Sequence, residues 1–194
     1  MSDRPIFNDR STPLSLLATR RSGKPRDLAA PGPDDATLAR MLELAARTPD
    51  HGKLAPWRFV IVDDRDRLAA LIIAAYRAER PGASATEIAA MDQFARQAPT
   101  LVVVLSSPRA GSHIPLFEQE MSAGAACMNL LHAAGALGFA AGWLTGWPAF
   151  SDAVRDGLGG TDGERIVGFV FIGTPGRPLE ERPRPDMDKI VCRW

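Results

Sequence analysis

The stretch from Ala134 to Thr145 constrains the fold more than any other part of the chain. It closes an apolar run of helical periodicity between Leu116 and Leu137, which predicts a long central helix. Gly138 suits the left-handed position that ends a helix, and Phe139 to Thr145 is short and apolar, as a central strand is. The alanines and glycines have two interpretations: tight packing of the helix on the sheet, or the wall of a pocket for a planar cofactor.

Capping residues and apolar spacing predict the other elements. Five further helices are expected: Thr12 to Arg20, Asp34 to Pro49, a segment around Leu68 to Tyr76, Ser84 to Gln97, and Ser151 to Gly157. Three further strands are expected: Trp57 to Val62, Leu101 to Leu105, and Ile166 to Gly173. Because strands and helices do not alternate strictly, this order favours an α+β fold, a sheet covered by helices, over a doubly wound fold.

The 194 residues are expected to form a single domain with two irregular ends. Residues 1–11 are polar and are predicted to be a flexible tail. The chain from Thr174 onwards is rich in proline, which excludes a helix and predicts an extended C-terminal arm over 177–194. Its end, Ile190 to Trp194, is apolar enough to be buried, either on the same chain or on a partner.

Composition excludes several classes of function. Lys and Arg together number 23, as do Asp and Glu, so the chain lacks the basic surplus of a nucleic-acid-binding protein. The sequence contains neither an apolar stretch long enough to span a membrane nor a signal peptide. The two cysteines lie far apart, and no His or Cys has metal-ligand spacing. We therefore expect a cytoplasmic protein without a metal site.

Two groups of residues can take part in binding. Arg20, Arg21 and Ser22 follow the first helix, where two guanidinium groups and a hydroxyl can hold a phosphate or the arginines can simply offset the helix dipole. Arg47 and His51 flank a loop after the second helix, where a histidine is more often solvated or capping than catalytic. Arg177 is either a further phosphate ligand or a surface charge.

The motifs occur in a specific order along the chain and carry a resemblance. They are Arg20-Arg21-Ser22, Arg47 to His51, Pro56 to Phe59, Glu118 to Gly124, Gly142 to Thr145, and Val167 to Pro175. Over about residues 12–178 the chain resembles the flavin-dependent nitroreductase family, in its compact NAD(P)H nitroreductase subgroup. The resemblance implies a mixed, largely antiparallel sheet flanked by helices. It also implies a homodimer that exchanges its C-terminal arms and has FMN at the subunit interface.

The resemblance assigns roles to individual positions. Arg20, Arg21 and Ser22 match an FMN-binding triplet, and Trp143, Leu144 and Thr145 match a second FMN-binding segment. Arg47 and His51 match positions around the flavin ring that the other subunit supplies. The segment assigned to NAD(P)H is matched by Ala133, Ala134, Gly135, Ala136, Leu137 and Gly138. This chain has Leu144-Thr145 where the subgroup often has Arg-Ser, so an arginine contact is absent.

The implied activity is hydride transfer from NAD(P)H to FMN N5, followed by reduction of a nitroaromatic, quinone-like or related acceptor in ping-pong order. The flavin carries the chemistry, so no catalytic side chain is required. Two alternatives remain: a reductive dehalogenase or flavin-consuming enzyme, with residues 76–92 as a candidate lid, and a flavin-binding redox sensor without turnover.

Overall fold

A computed structural model describes residues 6–194. The helices are α1 (Pro13–Thr19), α2 (Asp35–Ala45), α3 (Arg65–Glu79), α4 (Ala85–Arg96), α5 (Leu116–Ala136), α6 (Asp152–Gly157) and α7 (Met187–Ile190). The strands are β1 (Leu28–Ala29), β2 (Trp57–Ile61), β3 (Thr100–Ser106), β4 (Ala140–Leu144) and β5 (Arg165–Pro175). Three short 3-10 helices connect them: Pro25–Asp27, His51–Lys53 and Trp147–Phe150.

Local capping explains where the helices begin. Thr12, Asp34 and Asp64 each accept a hydrogen bond from the backbone three residues ahead, at the starts of α1, α2 and α3. Ser84 and Glu87 form the predicted capping box at the start of α4. Helix α5 has the predicted extent to within one residue, and Gly138 after it has a φ of +94°. The sequence therefore predicts these boundaries well.

The five strands form one antiparallel sheet. Strands β4, β5, β3 and β2 lie side by side in that order, and β1 pairs with the end of β5. The α+β fold with an antiparallel sheet flanked by helices is confirmed. All strand pairs within residues 6–194 are antiparallel, so no parallel pair of the expected mixed sheet occurs there.

Both faces of the sheet are buried, because successive side chains of a strand point to opposite faces. On β3, Leu101, Val103 and Leu105 join one core cluster, while Val102 and Val104 join the other. Helices α3 and α4 cover the first face, and α2 and α5 cover the second. This explains why the central strands read as continuous apolar runs rather than alternating ones.

A half-buried arginine joins the two helices of the first layer. Arg65, the first residue of α3, donates hydrogen bonds to the Ala95 and Ala98 carbonyl oxygens at 2.8 and 3.2 Å, at the end of α4. These carbonyls have no partner within the helix, and the guanidinium satisfies them. Burial lowers the pKa of Arg65 to about 10.

The ends of the chain differ in part from expectation. Leu28 and Ala29, predicted to lie in a loop, form β1 because their backbone pairs with Pro175 and Thr174. The prediction that the arm contains no helix is wrong, because one helical turn, α7, forms there. The Asp186 side chain caps it by accepting from the Asp188 backbone N–H. The predicted flexible tail lies outside the described residues at positions 1–5. In its described part, the Asn8 backbone donates to the Thr19 carbonyl oxygen at 3.0 Å.

Candidate functional site

An open cavity of about 510 Å³ lies between the segment after α1, the end of β4 and the C-terminal arm. Its lining residues are Arg21, Ser22, Gly23, Lys24, Pro25, Arg26, Gln97, Gly142, Trp143, Leu144 and Arg182. The cavity thus joins two segments that were predicted separately, the arginine-serine triplet and the stretch around Trp143. One side is cationic and the other is apolar.

The triplet follows directly after α1. Arg21 and Ser22 line the cavity, and the Arg20 Nη1 atom lies 3.3 Å from the Ser22 Oγ atom. The side chain of Asn8 fixes this backbone, because it accepts from the Arg21 N–H at 2.8 Å and donates to the Arg21 carbonyl oxygen at 3.2 Å. The backbone of the predicted triplet is therefore held in place, with Arg21 and Ser22 at the cavity and Arg20 outside the lining but next to Ser22.

The electrostatics of this side favour an anion. Burial and the neighbouring charges of Arg184, Arg21 and Arg182 lower the pKa of Arg20. Within residues 6–194, neither Arg20 nor Arg182 has a carboxylate partner among the ion pairs. Gathered guanidinium groups repel one another, and a bound phosphate relieves this repulsion through charge-assisted hydrogen bonds.

The apolar side includes Trp143 and Leu144, whose side chains leave β4 on opposite faces of the sheet. The indole N–H of Trp143 donates to the Val167 carbonyl oxygen at 3.0 Å, so the ring is fixed against β5 and packs on the cluster under α2 and α5. Leu144 is half-buried and packs on the cluster under α3 and α4. Thr145, the last of the three predicted residues, is exposed and is not part of the lining.

The small residues between Ala134 and Thr145 mostly serve tight packing, and Gly142 also lines the cavity. Gly142 allows tight packing, because a Cβ atom there would meet the Gly23 carbonyl oxygen and the ring of Pro25. Ala133, Ala134 and Gly135 are buried in the α5 layer, whereas residues 136–138 are exposed. Ala133 and Ala136 border a separate apolar groove with α1, so the structure does not bring the predicted NAD(P)H segment to the cavity.

Arg47 and His51 lie away from this cavity. The His51 Nδ1 atom is 2.7 Å from the Glu118 Oε2 atom near the start of α5, and Arg47 is exposed. The α1 helix contacts the other end of α5, at Gly135. Seventeen helical residues separate Glu118 from Gly135, which corresponds to about 25 Å. In this structure His51 therefore lies near the opposite end of α5 from the helix that precedes its own triplet.

Sequence reasoning missed three residues of the cavity lining, Lys24, Gln97 and Arg182. The only signal for Arg182 was the alternation of arginine and proline in the arm. Arg177 does not line this cavity; it is exposed, and its Nε atom lies 3.7 Å from the Asp27 Oδ1 atom, as expected of a surface charge.

Two features are absent from the described part of the chain. Between Ile6 and Trp194, no three His, Cys, Asp or Glu side chains are close enough together to hold a metal ion. Over the same residues, every helix is too short or too polar to cross a bilayer.

Comparison with known proteins identifies relatives along most of the sequence. The family model described as Nitroreductase family matches residues 17–174. The Escherichia coli (strain K12) protein named "Putative NAD(P)H nitroreductase YdjA" is 35% identical over 164 residues, which cover 84% of this chain and 87% of that protein. A Haemophilus influenzae protein named "Putative NAD(P)H nitroreductase" is also 35% identical, over 88% of this chain and 92% of its own length.

Solved structures share the fold at lower identity. A nitroreductase-like family protein from Bacillus cereus superposes with a TM-score of 0.77 at 21% identity, covering 95% of this chain and 96% of that chain. The NADPH:FMN oxidoreductase of Vibrio harveyi in complex with NAD+ has a TM-score of 0.71 at 16% identity, over 90% and 73% of the two chains. Together with the family model and the two relatives, this likeness shows that the chain belongs to the nitroreductase family.

Proposed function

We propose that the chain is an FMN-dependent oxidoreductase that takes hydride from NAD(P)H and reduces nitroaromatic or quinone-like acceptors. The observation that carries the proposal is the cavity, where Ser22, Trp143 and Arg182 meet and where Arg182 has no carboxylate partner within residues 6–194. Membership of the nitroreductase family and the two relatives named as NAD(P)H nitroreductases support it.

The residues of the cavity fit FMN. A flavin mononucleotide combines a dianionic phosphate with a flat, largely apolar ring system. Ser22 and Arg182 of the lining would donate to the phosphate, together with Arg20, which is hydrogen-bonded to Ser22, and Pro25 and Leu144 would offer the ring an apolar surface. The volume of about 510 Å³ is in the range of cofactor sites, and the open side leaves access for a second ligand.

When bound, FMN supplies the two-electron chemistry, accepting hydride from NAD(P)H and passing electrons to an acceptor. The protein binds the cofactor and orients it. Arg20 and Ser22 would hold the phosphate end, and the half-buried Leu144 would exclude water from one side of the cavity. No side chain acts as a nucleophile in this mechanism. Because nicotinamide and acceptor use the same open side, they bind in turn, and the kinetics are ping-pong.

The site is completed by a second subunit of a homodimer. Arg47 and His51 lie near the opposite end of α5 from their own triplet, so in this proposal they serve the cavity of the partner. Large apolar side chains are exposed along α1, α5 and the end of the arm, as expected for a surface that is buried on association. They are Leu14, Leu17, Leu116, Phe117, Met121, Ile190, Val191 and Trp194.

The segment considered as a lid favours the oxidoreductase over a dehalogenase that closes over its substrate. Residues 76–92 form the end of α3, a turn and the first part of α4. The Tyr76 hydroxyl donates to the Glu87 Oε1 atom at 3.0 Å, and the Tyr76 ring packs edge-on against Trp147. A segment tied down in this way is poorly suited to open and close.

An absorbance spectrum of the purified protein tests the cofactor, and anaerobic titration with NADH and NADPH tests the activity. We expect a bound flavin spectrum that is bleached by at least one nicotinamide and restored by a nitroaromatic or a quinone. A flavin that binds but is not reduced by either nicotinamide would instead indicate a redox sensor. A protein that cannot be loaded with FMN would refute the proposal.

A further inference from the structure

The chain that follows β5 is brought to the cavity by β1. Ala29 pairs with Thr174, and the Gly176 backbone N–H donates to the Asp27 carbonyl oxygen at 2.8 Å. The chain therefore leaves the sheet beside the segment 21–28. We call residues 177–186 the strap.

Two acidic residues of the strap contact one basic residue of the triplet, Arg21, and one just after it, Lys24. The Lys24 Nζ atom lies 2.8 Å from the Glu180 Oε2 atom. The Arg21 Nε–H donates to the Glu180 carbonyl oxygen at 2.5 Å and lies 3.7 Å from the Glu181 Oε1 atom. The Arg21 side chain is only 14% exposed, so these contacts hold the strap to a fixed group.

The two arginines of the strap have different partners. Arg184 lies 2.8 Å from the Glu181 Oε1 atom, whereas Arg182 lines the cavity and makes no ion pair within the described residues. Arg182 is thus presented to the same space as Ser22. An arginine placed in this way, beside Arg20, suits a phosphate that the triplet already binds.

We propose that Glu180 is a positioning residue of the cofactor site, which holds the strap on Lys24 and Arg21 so that Arg182 reaches the phosphate of FMN. This inference rests on the proposed function, and it assigns the strap to the chain that carries the triplet. A merely structural role for the same contacts predicts something different: a change in stability, with no discrimination between flavins with and without a phosphate.

The test is titration of the flavin-depleted, full-length protein with FMN and, separately, with riboflavin, which lacks the phosphate. Glu180→Lys and Lys24→Glu are each expected to raise the Kd for FMN about fivefold and to leave the Kd for riboflavin unchanged. The double variant Lys24→Glu with Glu180→Lys restores the pair and is expected to return the FMN Kd to that of the wild type. Arg182→Ala is expected to raise it about tenfold without affecting riboflavin.

Arg26 provides a matched control. It also lines the cavity but makes no ion pair with the strap within residues 6–194. Arg26→Glu combined with Glu180→Lys makes the same charge change as the rescuing pair, and we expect it to leave FMN binding weak. If this control restores FMN binding as well as the rescuing pair does, the effect is one of net charge and the inference is overturned. The inference is also overturned if Glu180→Lys and Arg182→Ala leave the ratio of the Kd for FMN to the Kd for riboflavin unchanged. Failure of the wild type to bind either flavin would refute the proposed function itself.

Discussion

The indole ring of Trp143 occupies the space above Gly168 that a side chain at position 168 would fill. The two residues lie on the neighbouring strands β4 and β5, and the indole N–H is fixed by the Val167 carbonyl oxygen at 3.0 Å. The position of Trp143, a lining residue of the cavity, therefore depends on a glycine that is not itself part of the lining.

Gly168→Ala is expected to displace Trp143. The added methyl group would overlap the indole ring, so we expect the free energy of unfolding to fall by about 1–3 kcal/mol. Flavin binding should weaken as well. Urea denaturation and fluorescence titration measure the two effects. Gly82→Ala is the control, because a Cβ atom there meets no other atom within 4 Å. Unchanged flavin affinity in Gly168→Ala would show that Trp143 does not contribute to the site.

Arg20→Ala and Ser22→Ala are expected to weaken retention of FMN. Each change removes a charge-assisted donor to the phosphate, worth about 1.5–3 kcal/mol. The flavin content after dialysis, read from the absorbance spectrum, gives the result. Arg40→Ala serves as the control, since Arg40 pairs with Glu43 on the surface of α2. If both variants retain as much FMN as the control, the triplet has no role in binding.

Glu164 makes stability depend on pH. It is buried, and hydrogen bonds from Arg58 are the main cause that lowers its pKa to about 2 from the ordinary value of 4.5. The unfolded chain binds this proton first, so the stabilisation is complete above pH 4.5 and is lost as the pH falls towards 2. The difference amounts to about 3 kcal/mol at most.

Denaturant unfolding at several acidic pH values measures this dependence. We expect the free energy of unfolding of the wild type to decrease more steeply below pH 4.5 than that of Glu164→Gln, which cannot titrate. Equal slopes in the two proteins would mean that Glu164 does not carry the effect.

Mixed dimers test whether each site is shared between subunits. Arg20→Ala and His51→Ala are expected to be impaired as homodimers. A dimer with one subunit of each kind contains one site with both changes and one intact site, so it should recover about half of the wild-type activity. Two differently tagged chains, co-expressed and purified through both tags, provide this species. No recovery would place both residues in the same subunit's site.

Deletion of residues 186–194 tests the end of the arm separately from the strap. It removes the exposed apolar side chains of Ile190, Val191 and Trp194 but leaves Arg182 in place. We expect the molar mass in light scattering to shift towards the monomer and flavin to be released at the same time, because association and binding are linked. Added FMN should strengthen the dimer. A truncated protein that remains dimeric and yellow would contradict this.

The sequence by itself determined the elements and their order. The caps at Thr12 and Ser84, the periodicity of α5 and the apolar runs of β3 and β5 are local signals, each of which acts within a few residues. It also predicted the triplet as a phosphate ligand and Trp143 as a neighbour of the flavin, through the order of motifs along the chain.

Only the tertiary structure decided which of these residues meet. Strand β1 forms because the backbone of Leu28 pairs with that of Pro175. Arg182 lines the cavity because this pairing places the strap next to Lys24. Gly142 is small because Gly23 and Pro25 cross it, whereas the side chain of Trp143, one residue later, packs against β5 and the cluster under α2 and α5. Contacts between residues more than a hundred positions apart leave no periodicity in the sequence, so their consequences appear only when the chain is folded.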